Sequence, residues 1–197
     1  DGLFSRETGI YVAGSGSDEY PYTGANYMKR GVAWERAGNI ELFPQNAEED
    51  GFSIGCGIRI FGGMSRGYAK KSLSIRFKDC YGASTLNYPL FSSRDNWVYN
   101  SFLLRSGGQD FHKAIIRDIL TTSLVDDEDL MPVQAYRQVV LYINGEYWGH
   151  YNMRERICAA MICQYEGWEG QEDEIDIVKG NDLVLRGSDD SFQAMLA

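Results

Sequence analysis

Phe52-Ser53-Ile54-Gly55-Cys56-Gly57-Ile58-Arg59-Ile60-Phe61, then Gly62-Gly63-Met64-Ser65-Arg66-Gly67, then Lys71-Ser72-Leu73-Ser74-Ile75-Arg76-Phe77-Lys78, decide the fold. Phe52, Ile54, Cys56, Ile58 and Ile60 recur at every second position, and Leu73, Ile75 and Phe77 do so again. A period of two belongs to a strand with one covered face. The glycine-rich stretch between the runs has no such period, so the pair reads as a long antiparallel hairpin with a glycine-rich tip. Lys71 shares the parity of Leu73, Ile75 and Phe77 and is expected on the covered side, with Lys70 facing the other way.

A second hairpin lies downstream. Tyr136 to Ile143 is rich in β-branched and aromatic residues, Asn144-Gly145 is the favoured two-residue turn, and Glu146 to Met153 returns. Ser101-Phe102-Leu103-Leu104-Arg105 reads as a buried strand between the hairpins. A helix is expected from about Asp110, a plausible N-cap, to Val125, with Phe111, Ile115, Ile116 and Ile119 as its apolar stripe. The run Asp126-Asp127-Glu128-Asp129 ends it as a solvated loop. A further helix is expected over Arg154 to Tyr165 and a last strand over Ile175 to Val178. Upstream, residues 1–35 are irregular, with a short strand at Gly9 to Val12, and Asn39 to Phe43 alternates like a strand. Tyr81 to Tyr99 reads as a loop. The fold class is therefore α+β, an antiparallel sheet of hairpins with packed helices.

The 197 residues are 44% hydrophobic and 24% charged, which is globular chemistry. The net charge of −9 disfavours nucleic acid and anionic membrane surfaces, which need clustered cations. It leaves room for a local basic pocket. The four cysteines, Cys56, Cys80, Cys158 and Cys163, form no CxxC and have no histidine at metal-ligand spacing. Four buried thiols, or one or two disulfides in an exported chain, both fit; Cys158 and Cys163 do not share a helix face and pair poorly. No run is long and apolar enough for a signal peptide or a membrane span. Both ends read as cuts in a longer protein.

Three constellations bear on chemistry. Gly62, Gly63, Ser65 and Arg66 followed by Lys70 and Lys71 place backbone N–H groups and cations where a phosphate would sit, the layout of a glycine-rich hairpin with a following lysine. An exposed turn is the plain alternative. Arg105 with Gln109, Asp110, Arg117 and Asp118 is the second: a kinase places an acid on a helix packed behind the sheet to orient the lysine, and Asp118 follows the apolar stripe closely enough to be a candidate; a surface Arg117-Asp118 pair on an amphipathic helix is the plain alternative. Glu155 is read at the junction of strand and helix, where it would stabilise the helix N-terminus or face a ligand. Trp148 and Tyr151 are core residues or stacking platforms. No Ser/His/Asp arrangement is found around His112 or His150.

Ile58 to Arg66 with Lys70 to Phe77, then Leu103-Leu104-Arg105, Arg117-Asp118, Leu141 to Tyr151 and Tyr151 to Ile157, in this order, resemble the CotH kinase family. The resemblance implies an atypical protein-kinase-like small lobe and the start of a large lobe. It implies ATP and Mg²⁺ as cofactors, phosphorylation of protein Ser, and a bacterial protein secreted to the spore or cell surface, in some members beside cellulosome parts. By motif, Gly62, Gly63, Ser65, Arg66, Lys70, Lys71 and Glu155 are its nucleotide- and phosphate-binding candidates. Residues 1–50 would be a lead-in and 51–197 a partial kinase-like domain. The family's metal-binding aspartates would lie beyond this sequence, so no catalytic or metal residue is assigned within it, and the piece is expected to be inactive alone. The competing reading is a non-catalytic surface, structural or glycan-binding module, which exposed coplanar aromatics would favour.

Overall fold

The computed structural model describes residues 2–126, 131–180 and 183–196. Strands β1 (Arg36–Leu42), β2 (Phe52–Phe61) and β3 (Ser72–Arg76) form an antiparallel meander, with Ile58 opposite Ile75 and Ile60 opposite Leu73. A short pair, β4 (Leu86–Asn87) and β5 (Val98–Tyr99), lies within the stretch read as a loop. Strand β6 (Ser101–Arg105) follows, then helix α1 (Arg117–Asp126). The second hairpin is β7 (Tyr136–Ile143) and β8 (Glu146–Glu155). Helix α2 (Ala159–Glu166), the pair β9 (Ile177–Lys179) and β10 (Leu183–Arg186), and helix α3 (Asp190–Leu196) complete the chain. The main sheet has six strands in the order β1-β2-β3-β6-β8-β7, antiparallel throughout, so the architecture is mixed α+β.

The alternation read from the sequence sorts the two faces. Cys56, Ile60, Leu73, Ile75, Phe77, Phe102, Leu104, Tyr151 and Met153 belong to one buried cluster. Ile10, Tyr11 and Tyr27 from the irregular start, and Leu86, Leu90 and Phe91 from the loop before β6, close over it. The opposite face is more polar: Arg59 and Ser74 share a cross-strand row with the buried Leu103, and Arg76 and Ser101 form the next. Ser72 and Ser106 share a buried hydroxyl contact of 3.1 Å there.

Several boundaries differ from expectation. No helix runs from Asp110. Gly107 and Gly108 have φ of 94° and 53°, and Ile115 has φ of 62°, a backbone that no continuous helix accommodates. The helix starts at Arg117, whose N–H donates to the Asp110 carboxylate at 3.2 Å, so Asp110 caps α1 from seven residues back. Arg154 and Glu155 are strand, not helix, because β8 stays paired with β6 to its end, Glu155 opposite Phe102. The second helix begins only at Ala159. Gly9 to Val12 forms no strand, although Ile10 and Tyr11 are buried. The last strand starts at Ile177 and has a partner, β10, that the sequence did not suggest. Asp127, Glu128 and Asp129 of the acidic run lie outside the described residues. All four cysteines are free thiols. Among the described residues, no helix is long and apolar enough to cross a membrane.

Candidate functional site

Lys71 immediately precedes β3 on the covered face and is only 4% exposed. It lines a cavity of about 400 Å³ together with Tyr11, Asp18, Tyr22, Tyr27 and Gly67. Its ammonium donates to the Tyr68 carbonyl at 2.7 Å and stands 4.0 Å from the centre of the Tyr27 ring and 5.3 Å from that of Tyr11. Removing a cation from water disfavours its charge, and burial lowers Lys71 from 10.5 to about 8, against a small opposing pull from Asp18. Asp18 accepts a 2.7 Å hydrogen bond from Tyr27. The cavity thus holds one ammonium and one carboxylate, walled by aromatic rings.

The aromatic wall comes from the irregular start of the chain and is tied to both hairpins. The Tyr11 hydroxyl accepts from the Lys71 N–H at 2.9 Å and from Trp148 Nε1 at 2.8 Å. Trp148 reaches it because β8 bulges against β7 where Leu141 gives way to Tyr142, which re-aims the indole. Tyr151 donates to the Lys71 carbonyl at 3.0 Å.

The remaining sequence candidates are distributed differently. Arg66 is 6% exposed, and its guanidinium donates to four backbone carbonyls: Gly62 at 2.8 Å, Tyr27 at 2.9 Å, Lys29 at 3.0 Å and Ile60 at 2.5 Å. Those bonds fix the tip of the hairpin and the irregular start rather than leaving donors for a ligand. Gly62 needs its glycine, since φ is +120° and a Cβ would meet Ser65 Oγ at 2.5 Å. Gly63 is exposed and Ser65 half-buried, and neither lines the Lys71 cavity; Gly67 does. Lys70 lies before β3 and does not line the Lys71 cavity. Its ammonium donates to the His150 carbonyl and sits 4.5 Å from the Tyr151 ring centre and 5.0 Å from that of Phe111.

Glu155 is not beside Lys71. It is in register with Phe102 and so with Ile75, four residues along β3 from Lys71, or ~13 Å. Its carboxylate accepts from the Ala135 N–H at 2.8 Å and from Arg94 at 3.2 Å. It lines a second, smaller cavity of about 140 Å³ with Ser101, Arg156, Cys158 and Gln164.

Asp118 acts across elements rather than along its helix. Its carboxylate receives Arg154 at 2.6 Å and approaches Arg105 to 3.8 Å, joining α1 to β8 and β6. The surface reading is corrected there: the bridge to Arg154 engages a guanidinium with no exposed side-chain area.

Tyr11, Asp18 and Tyr27 were not singled out from the sequence, and neither were Arg76 and Arg156. The aromatic spacing of residues 11–27 was the available signal for the first three, but only the folded backbone brings those rings over β3. Among the described residues, no group of three or more His, Cys, Asp and Glu gathers as a metal site, so the residues present do not by themselves fit Mg²⁺.

A buried lysine thus faces an aromatic cavity beside a glycine-rich hairpin on an antiparallel sheet. The family model described as CotH kinase protein matches residues 58–195, and the chain belongs to that family. No curated protein matches the chain.

Proposed function

We propose that this protein is an ATP-binding member of its kinase family, in which Lys71 meets the nucleotide's phosphates from within the aromatic cavity and the phosphoryl group goes to protein Ser. Residues 51–197 then correspond to a kinase-like small lobe with the first helix of a large lobe, and residues 1–50 are the lead-in. Secretion to a cell or spore surface completes the reading. The observation that carries it is the placement of Lys71. A cavity of about 400 Å³ lies in the range of small-ligand sites, and its one ammonium is held away from water, where attraction to phosphate is strongest. The tyrosine rings around it offer faces for a base or a sugar. ATP supplies the transferable phosphoryl group; the chain's part is to orient the phosphates, shield them and hold Lys71 charged against them. Arg66 supports this by fixing the hairpin tip, and Lys70 is not part of the cavity's lining.

The glycan-binding alternative gains nothing from the exposed aromatics. Tyr142 and Tyr147 are exposed neighbours, but their rings meet at 72°, and Tyr20 and Tyr22 meet at 84°, so neither pair forms a flat platform.

The test is equilibrium binding of ATP to the wild type and to Lys71→Met, a variant that keeps the side-chain length without the charge. The variant is expected to bind at least about tenfold more weakly. Equal binding by the two, in folded protein, would remove Lys71 from the site.

A further inference from the structure

The polar face of the sheet ends in three arginines, two on neighbouring strands and one just past the end of β8. Arg59 on β2 and Arg76 on β3 are diagonal neighbours, since Gly57 is the register partner of Arg76. Ser101 on β6 is opposite Arg76 on its other side, and Arg156 follows the last residue of β8 next to Ser101. The arginines are close enough to repel. Burial, then Arg156 and Arg59, lowers Arg76 to about 10, and burial and Arg59 likewise lower Arg156.

Their counter-charge is nearly absent. Glu35 is the carboxylate of this corner, and it already accepts from Arg59 at 2.6 Å, from Lys78, and from Tyr81 at 2.7 Å. Glu155 is held by Arg94 and the Ala135 N–H. Neither guanidinium of Arg76 and Arg156 has a hydrogen-bond or ion-pair partner among the described residues, and the Arg76 Nε is buried. Two half-buried cations without a partner are costly, and a protein retains them where something else supplies the charge.

A small cavity opens beside Arg156. Arg156, Ser101, Cys158 and Gln164 line the smaller cavity of about 140 Å³ together with Glu155, whose carboxylate is taken up by Arg94 and the Ala135 N–H; Arg76 stands outside that lining, opposite Ser101. Helix α2 begins at the cavity's rim. Cys158 at its N-cap makes no side-chain capping bond, so the first N–H groups of the helix add positive potential. We propose that this corner binds a phosphate-type dianion, clamped by Arg156 and Arg76 at the start of α2. It is a site separate from the Lys71 cavity and independent of the nucleotide reading. Guanidinium forks favour phosphate over a spherical anion because two N–H groups match two of its oxygens.

The experiment titrates the protein with inorganic phosphate, with a phosphoserine peptide and with the same peptide unphosphorylated. Ionic strength is held constant, and calorimetry and the thermal midpoint are the readouts. Saturable binding is expected for the wild type and for Lys71→Met. Arg156→Gln is expected to weaken it at least about tenfold. Arg76→Gln is expected to weaken it too, while raising the midpoint of the phosphate-free protein by relieving repulsion. Should Arg76→Gln misfold, Arg156→Gln decides alone, since that side chain has no partner to lose. A peptide that binds more tightly than inorganic phosphate assigns the site to phosphorylated protein segments; equal affinity assigns it to free phosphate. No saturable response to either phosphorylated probe, or a response that Arg156→Gln leaves intact, would overturn the site.

Discussion

Arg154 of β8 has no exposed side-chain area, and its Nη1 donates to Oδ2 of Asp118 on α1 at 2.6 Å. The same guanidinium reaches Thr122 Oγ1 and the Gln134 carbonyl, each at 3.1 Å. Removing one partner of a buried pair leaves the other uncompensated. Because Asp118 is 45% exposed, solvent softens the loss. Asp118→Ala is expected to destabilise the fold by ~2 kcal/mol in urea unfolding, and a change under half of that would mean water already serves Arg154.

Lys71 gives stability a distinctive pH dependence. Its folded value, about 8, lies below the ordinary 10.5, so between those pH values the unfolded chain binds more protons. Stability therefore rises with pH across that window, by at most ~1.4 kcal/mol per unit, and the burial cost is fully present below it. Tyrosines act in the opposite sense at higher pH, Tyr81 being raised to about 12 through its bond to Glu35 and by burial. The difference in stability between wild type and Lys71→Met, measured from pH 8 to 9.5, is expected to shift steadily toward the wild type. A flat difference would show the ammonium to be solvated.

Arg66 separates scaffold from site. Its four carbonyl acceptors need a planar fork, which a single ammonium does not reproduce. Arg66→Lys keeps the charge yet is expected to lower stability by about 2–3 kcal/mol and to expose residues 1–35 to limited proteolysis. Nucleotide affinity, measured well below the midpoint, is expected to stay within about twofold.

Glu35 predicts behaviour in acid. Burial alone would raise its carboxyl, but hydrogen bonds from Lys78, Tyr81 and Arg59 hold it below the usual 4.5. A depressed folded value contributes stability above pH 4.5 that disappears as pH falls through the folded value. Glu35→Gln is expected to be less stable than the wild type at pH 7, with the gap narrowing as pH falls below 4.5 and through the depressed folded value. A gap independent of pH would point to packing instead of charge.

The strands were legible because their signal is local. Leu73, Ile75 and Phe77 announce a face, and Asn144-Gly145 announces a turn, whose Asn144 has φ of 52°. The helix start was not legible, because the left-handed Ile115 and the distant cap from Asp110 depend on how the loop is held. Glu155 was misread because only pairing with Phe102 keeps it in the sheet. The candidate site was legible in part: parity placed Lys71 on the covered face, whereas Tyr11 and Tyr27 reach it through contacts 60 and 44 residues apart in sequence. The commitment of Arg66 to carbonyls is equally invisible in its motif.

Strand β6 joins two hairpins whose strands do not pair with each other: β3 lies on one side of it and β8 on the other. Each hairpin can zip from its own turn, but β6 reaches both through long loops whose closure costs entropy before any contact rewards it. The insertion of five residues, Ser101 to Arg105, is thus the step at which two separate ribbons become one domain. The entropy of closing those loops therefore falls on the middle of the sequence, far from either glycine turn.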